Sequence, residues 1–260
     1  MLITTRTALL TGSASGLGKR TAIELAQKGI NTVINYRNSE KEASELKTYI
    51  TENFGVECTV IQGDIASVRD CEKIIHHCIA EHSHIDILIN NAGPYVHERK
   101  HLIDYDMDEW KYIIDGNLNG VFCLLKYFVP KMREKKWGRI INFGFERADT
   151  APGWIYRSAF AAAKVGLVSL TKTVALEEAK YGITANMVSP GEIIGHWKES
   201  NILDAQGKND ENTPVGRPGT GEDIARTISF LCDEKSDFIT GSVIPITGGK
   251  DVLSKRLGSY

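Results

Sequence analysis

The sequence predicts a single-domain α/β fold, a doubly wound parallel sheet with helices on both faces. Short apolar runs alternate along the chain with amphipathic stretches long enough to cross between parallel neighbours. A glycine-rich turn joins the first apolar run to the first helical pattern, the arrangement that opens a βαβ unit. With 260 residues, 42% of them hydrophobic, the chain can bury one sizeable core, and no repeat or linker divides it, so residues 1–260 are read as one domain.

Composition narrows the partners. Thirty-one basic against 33 acidic residues leave a formal charge of -2, which offers no general attraction for nucleic acid or an anionic membrane. A small-molecule substrate is therefore expected. Cys58, Cys71, Cys78, Cys123 and Cys232 are scattered without a C-x-x-C pair, which argues against a disulfide framework and a zinc site and for a cytoplasmic protein. The apolar run within residues 1–20 is too short for a signal peptide, and no uncharged stretch approaches the ~18 residues of a membrane span.

Thr7-Ala8-Leu9-Leu10 reads as the first strand. It enters TGSASGLG, after which Ala22, Ile23, Leu25 and Ala26 recur at helical spacing. Gly12, Gly16 and Gly18 let the backbone turn tightly and approach a pyrophosphate, which then rests on the amides and positive dipole of the helix N-terminus; Ser13, Ser15 and Leu17 complete this cradle. Thr32 to Asn35 is the second strand. No acidic residue follows it to bond a ribose 2′-hydroxyl; Arg37 instead offers a guanidinium to a 2′-phosphate, so NADP(H) is preferred over NAD(H).

A helix over 39–54 and a strand at Thr59 to Ile61 lead to Gly63-Asp64-Ile65, where Asp64 either faces a ligand or caps a helix beginning near Ser67. Ile85 to Ile89 forms a fourth strand ending in Asn90-Asn91-Ala92-Gly93. Asp106 to Lys136 reads as one long amphipathic segment whose apolar face, from Trp110 to Leu125, is broad enough for core and subunit contact. The fifth strand, Arg139 to Phe143, precedes a helix carrying Lys164, Leu167, Leu170, Val174 and Leu176. A sixth strand, Ile183 to Val188, runs into Ser189-Pro190-Gly191. A polar stretch over 192–213, a helix over Glu222 to Cys232 and a strand at Ser242 to Pro245 close the chain.

The TGxxxGxG spacing, the NNAG loop, Asn117, Lys164 and the proline-glycine turn, in this order, resemble the short-chain dehydrogenase/reductase family, nearest in character to its 3-oxoacyl-(acyl-carrier-protein) reductases. The resemblance covers nearly the whole chain and implies a Rossmann-like fold and an NADP(H)-dependent oxidoreductase acting on a carbonyl. Further implications attach to single residues. Asp64 and Ile65 would meet the adenine, and Asn90 to Gly93 would lie along the cofactor. Pro190 and Gly191 would cover the nicotinamide. Asn117, by a backbone kink, would hold a water beside Lys164, whose ammonium would hold the ribose. Residues 192–213 would form a substrate lid, and the protein would be a homo-oligomer, a tetramer.

The same resemblance places Phe145 at the family's catalytic serine and Phe160 at its catalytic tyrosine. A phenyl ring can neither donate a proton nor bind an oxyanion. Tyr156 is the nearest substitute, yet on a continuous helix it stands ~12 Å along the axis from Lys164, against ~6 Å for position 160. It reaches only if the helix begins after it. Arg147 and Arg157 offer charge to an acidic substrate. Two readings stay open: a reductase with an atypical proton donor, and a catalytically impaired NADP(H)-binding protein acting through assembly or partner binding.

Overall fold

The computed structural model describes residues 5–250. Seven strands form one parallel sheet in the order β3-β2-β1-β4-β5-β6-β7. They are β1 (Thr7–Leu10), β2 (Asn31–Tyr36), β3 (Cys58–Gln62), β4 (Ile87–Asn90), β5 (Gly138–Phe143), β6 (Ile183–Pro190) and β7 (Val243–Ile246). Crossovers are made by α1 (Gly16–Gln27), α2 (Glu40–Phe54), α3 (Val68–His82), α4 (Met107–Ile114), α5 (Gly120–Lys135), α6 (Ser158–Glu178), a short α7 (Ile202–Ala205) and α8 (Gly221–Cys232). The strand order reverses between β1 and β4, and at that switch point the crevice outside the strands' carboxyl ends opens.

Side-chain alternation sorts the core into two layers. In β1, Leu9 faces one side while Ala8 and Leu10 face the other, and in β4 Leu88 opposes Ile87 and Ile89 in the same way. The first layer packs under Cys71, Ile74 and Cys78 of α3, Leu124 and Phe128 of α5, and Leu167 and Val168 of α6. The second packs under Leu25 of α1, Leu46 and Ile50 of α2, and Ile224 and Ile228 of α8. Both faces being covered, the central strands are apolar throughout, as parallel strands must be. The stretch Ser158–Tyr181 is long and apolar enough by length and composition to cross a bilayer. Here it is a core helix laid along β6.

The 106–136 segment is not one helix. It breaks at a π turn over Asp115–Asn119 between α4 and α5. Two glycines and an inward amide explain the break. A Cβ on Gly116 would lie 2.3 Å from the Pro94 ring and one on Gly120 2.2 Å from the Ile65 carbonyl oxygen, so backbone is drawn in where a regular helix would present side chains. Asn117, fully buried, donates from Nδ2 to the carbonyls of Pro94 (2.8 Å) and Ile113 (2.9 Å), taking a helical acceptor out of the backbone ladder.

Candidate active site

The glycine turn is shaped by contacts from the neighbouring strand ends. Gly12 has φ +58°, and a Cβ there would stand 2.9 Å from the Ala92 Cβ; one on Gly18 would meet Asn91 Nδ2 at 2.7 Å and the Gly12 carbonyl at 2.8 Å. Only glycine permits this approach. Asn91 ties the turn down, its Nδ2 donating to the carbonyls of Thr11 and Gly12 at 2.9 Å each, while Ser13 Oγ donates to Leu10 O at 2.7 Å. Asn35 does the same from β2: its Oδ1 accepts from Gly12 N (3.2 Å) and its Nδ2 donates to Gly63 O (3.0 Å). Ser15 precedes α1 without a side-chain cap bond, and Leu17 packs against the second core layer.

From this turn a cleft of about 420 Å³ opens between Gly12, Arg37, Asp64, Gly93 and Tyr95. It lies at the strands' carboxyl ends, where open α/β sheets bind ligands. A larger hollow of about 600 Å³, walled by Arg6, Trp137 and Phe230, has no such position. At one end of the cleft three elements meet. Arg37 donates to the Tyr112 hydroxyl, which donates to Asp64 Oδ2 at 3.0 Å, and the Arg37 guanidinium stands 3.6 Å from the same carboxylate. Burial first, and then the Asp64 carboxylate, push the Tyr112 phenol above its ordinary range. Ser67, and not Asp64, caps α3, its Oγ accepting from Asp70 N; Asp64 Oδ1 accepts from Ala66 N at 2.9 Å in the turn before it, Asp64 lines the cleft, and Ile65 beside it is buried.

Beyond Tyr95, behind the Phe160 ring, lies Lys164. It is 4% exposed and donates to the Phe143 carbonyl at 2.7 Å. Burial of the ammonium lowers its pKa to about 8. A Cβ on Gly93 would lie 2.2 Å from Asn117 Oδ1, so the NNAG loop rests directly on the π turn. Asn90, below it, donates to Asn142 Oδ1 (2.8 Å) in a buried chain that continues to Thr171. Pro190 and Gly191 follow at the end of β6, Gly191 N donating to Ile246 O at 2.9 Å.

Beside Lys164 the pocket is aromatic. The ammonium stands 5.6 Å from the Phe160 ring centre, and Phe160 meets Tyr95 edge-on at 5.0 Å and Trp154 at 6.0 Å. Phe145 lies against Trp154 at 4.9 Å, and both phenylalanines are buried. Helix α6 begins at Ser158, the late start that Tyr156 required. Tyr156 itself has φ +64°, and this left-handed turn carries its ring to His101 (5.0 Å) and beneath Arg99 (5.9 Å), while Lys164 faces Phe143 and Phe160. Arg157 reaches instead to Tyr95, Nε donating to its hydroxyl at 3.1 Å, and to Glu98 O at 2.7 Å. Glu146 is buried, 6% exposed.

Within 192–213, a 3-10 turn at Gly195–Lys198 brings Lys198 beside Gly16 of the glycine turn, and the short α7 follows. Glu199 Oε1 accepts from Gly16 N and its Oε2 from Lys19 Nζ, both at 2.7 Å. Partial burial opposes its ionisation, but the bonds from Lys19 and Gly16 outweigh it and hold the carboxyl below its ordinary range. Among the described residues no group of three or more His, Cys, Asp or Glu side chains could hold a metal ion. Asn35, Tyr95, Tyr112 and Glu199 were not singled out from the sequence. Their partners are distant in the chain, and only Asn35, at the end of a clear strand, carried a positional signal.

A protein-family model described as enoyl-(acyl carrier protein) reductase matches residues 12–251. YtkK of Bacillus subtilis (strain 168), provisionally named an oxidoreductase, is 50% identical over 254 residues, covering 96% of this chain and 98% of its own. The 3-oxoacyl-[acyl-carrier-protein] reductase FabG of Staphylococcus epidermidis is 34% identical over 245 residues, covering 94% and 98%. A Bacillus thuringiensis structure, provisionally described as a 3-oxoacyl-reductase, superimposes with a TM-score of 0.88 at 52% identity, covering 96% of this chain and 99% of that one. The acetoin dehydrogenase YohF of Salmonella typhimurium gives 0.86 at 29% identity, covering 98% and 100%. Likeness of this extent, over nearly the full length of every partner and on one parallel strand order, makes the chain a member of the short-chain dehydrogenase/reductase family of oxidoreductases.

Proposed function

We propose that the protein is an NADP(H)-dependent reductase of a carbonyl substrate of 3-oxoacyl type, working with an atypical proton donor. The observation that supports this most is the cleft at the switch point, which runs from Arg37 and Asp64 to Gly93 and Tyr95, with Phe160 behind the Tyr95 ring and the buried Lys164 ammonium behind Phe160. The lining would suit a dinucleotide: Gly12 and Ser15 of the glycine turn wall the cleft at the start of α1, and no acidic residue stands at the end of β2 to repel a 2′-phosphate. Gly12, Ser13, Ser15, Gly16, Leu17 and Gly18 would hold the pyrophosphate, Arg37 the 2′-phosphate, and Asp64 with Ile65 the adenine. Asn90 to Gly93, Pro190 and Gly191 would flank the nicotinamide end. Bound NADPH supplies the hydride.

Lys164 remains largely charged at neutral pH, since its pKa of about 8 lies above it, and so can hold ribose hydroxyls. Asn117 fixes the π turn beneath the NNAG loop. Phe145, Trp154 and Phe160 exclude water and bind a flat apolar group by ring contact. The 3-oxoacyl class rests on the names of the FabG and Bacillus thuringiensis relatives. We place the protein in the cytoplasm because its cysteines at 58, 71, 78, 123 and 232 are free thiols, and as a homo-oligomer, a tetramer, because Phe122 and Tyr127 of α5 and Leu176 of α6 are exposed apolar groups. Light scattering at the mass of one 28.8 kDa chain would contradict that assembly.

Fluorescence titration tests the cofactor. NADPH should bind more tightly than NADH, and Arg37→Ala should cost NADPH about tenfold or more while leaving NADH unchanged. Equal affinities in the natural protein would remove the assignment. A second reading, a binding protein with impaired catalysis, is favoured by one feature: two buried phenylalanines, Phe145 and Phe160, stand at the positions that the resemblance gives to the family's serine and tyrosine.

A further inference from the structure

We propose that Tyr95 is the proton donor of this reaction and that Arg157 positions it. The assignment rests on the reductase reading above. Two places in the structure meet at Tyr95. Its side chain lines the cleft together with Gly12, Ala92 and Gly93, and its ring meets Phe160 edge-on at 5.0 Å. Phe160 in turn lies 5.6 Å from the Lys164 ammonium and holds the position that the family gives to tyrosine. A phenol thus stands one ring contact away from position 160, brought there by the loop after β4 instead of by α6. Tyr156, the other candidate, does not line this cleft.

The hydroxyl is arranged to give its proton away. Its oxygen accepts from Arg157 Nε at 3.1 Å, and among the described residues no protein group accepts its own proton. Arg157 is held in turn by the carbonyls of Glu98 (2.7 Å) and Tyr156 (2.8 Å), with its guanidinium 5.2 Å from the Tyr95 ring centre. A fixed cation therefore sits on the oxygen that carries negative charge once the proton has left. The step balances. With NADPH bound, the cofactor would supply a hydride to the carbonyl carbon, the π pair of the C=O bond would move to oxygen, and that oxygen would take the Tyr95 proton. The phenolate left behind belongs to a residue 41% exposed, so water returns the proton.

Tyr95→Phe keeps the ring contacts and removes only the hydroxyl. With an acetoacetyl thioester as substrate, kcat should fall about 10²- to 10⁴-fold while the NADPH dissociation constant is unchanged. A binding measurement stands apart from turnover. Titrated calorimetrically into protein saturated with oxidised NADP, which cannot react, the same thioester should bind the variant about fivefold more weakly for want of one hydrogen bond. Arg157→Lys, which keeps the charge, should retain most of the rate that Arg157→Leu loses; equal losses would remove Arg157 from the assignment.

If the natural protein is active and Tyr95→Phe leaves kcat within about threefold, the proton comes from elsewhere and Tyr95 is overturned while the reductase reading survives. Loss of activity in Tyr156→Phe with Tyr95→Phe unaffected overturns it in favour of the α6 tyrosine. A natural protein that binds NADPH yet reduces no carbonyl overturns both.

Discussion

Lys164 is the residue on which burial and chemistry pull in opposite directions. Its ammonium, with one carbonyl partner, is held out of water by the Phe160 ring and the helix around it. In the unfolded chain it titrates near 10.5 and in the folded one at about 8, so between those values the folded state binds fewer protons. Stability therefore rises with pH across that window, and below pH 8 the burden of the buried charge is constant. Lys164→Met isolates this contribution from the thiols and phenols that titrate nearby. At pH 7 the methionine variant should be the more stable by denaturant unfolding. Its advantage should shrink by on the order of 3 kcal/mol between pH 8 and 10.5. A gap that does not change with pH would mean that Lys164 is not buried as a cation.

The single residues also show what a sequence can and cannot reveal. Gly12, Gly18 and Gly93 stood out in the sequence as sites of close backbone approach, and the structure gives each a packing reason within the protein, since a Cβ would meet Ala92, Asn91 or Asn117 respectively. Arg37 was legible as a cation after the second strand. Its partners were not, since Tyr112 lies 75 residues away and only the fold brings it back. Tyr95 looked like an ordinary loop residue until Arg157, 62 residues on, was found on its hydroxyl.

Among the elements, the helix carrying Lys164 and the seven strands followed their periodicity closely, because both faces of the sheet are covered and each face imposes its pattern. The π turn did not show in the pattern. Apolar positions continue at helical spacing through Asp115–Asn119, and the distortion is set by contacts from Pro94 and Ile65, which lie outside the segment. The 192–213 stretch gave no periodic signal, yet it contains the contact with the clearest consequence. Glu199 occupies the first amide of α1 and the Lys19 ammonium, 183 and 180 residues away in the chain. If the pyrophosphate binds at that helix end, as proposed, it would meet a carboxylate already there. Glu199→Gln should tighten NADPH binding about two- to fivefold, read by fluorescence titration. Weaker binding would show that the carboxylate supports the cofactor site instead of competing for it.

For the whole molecule, sheet order, cleft and family agree, and the open matter is chemical: whether a pocket with phenylalanines at positions 145 and 160 still reduces a carbonyl. The most direct measurement follows NADPH oxidation with an acetoacetyl thioester in the natural protein and in a folded, NADPH-binding Phe145→Ser plus Phe160→Tyr variant. The natural protein should turn over, slowly and with NADPH preferred to NADH. If these positions are the family's tyrosine and serine positions, as proposed, the variant should be faster by about 10². No turnover by either protein would contradict the reductase account and leave a nucleotide-binding protein whose pocket has closed to chemistry.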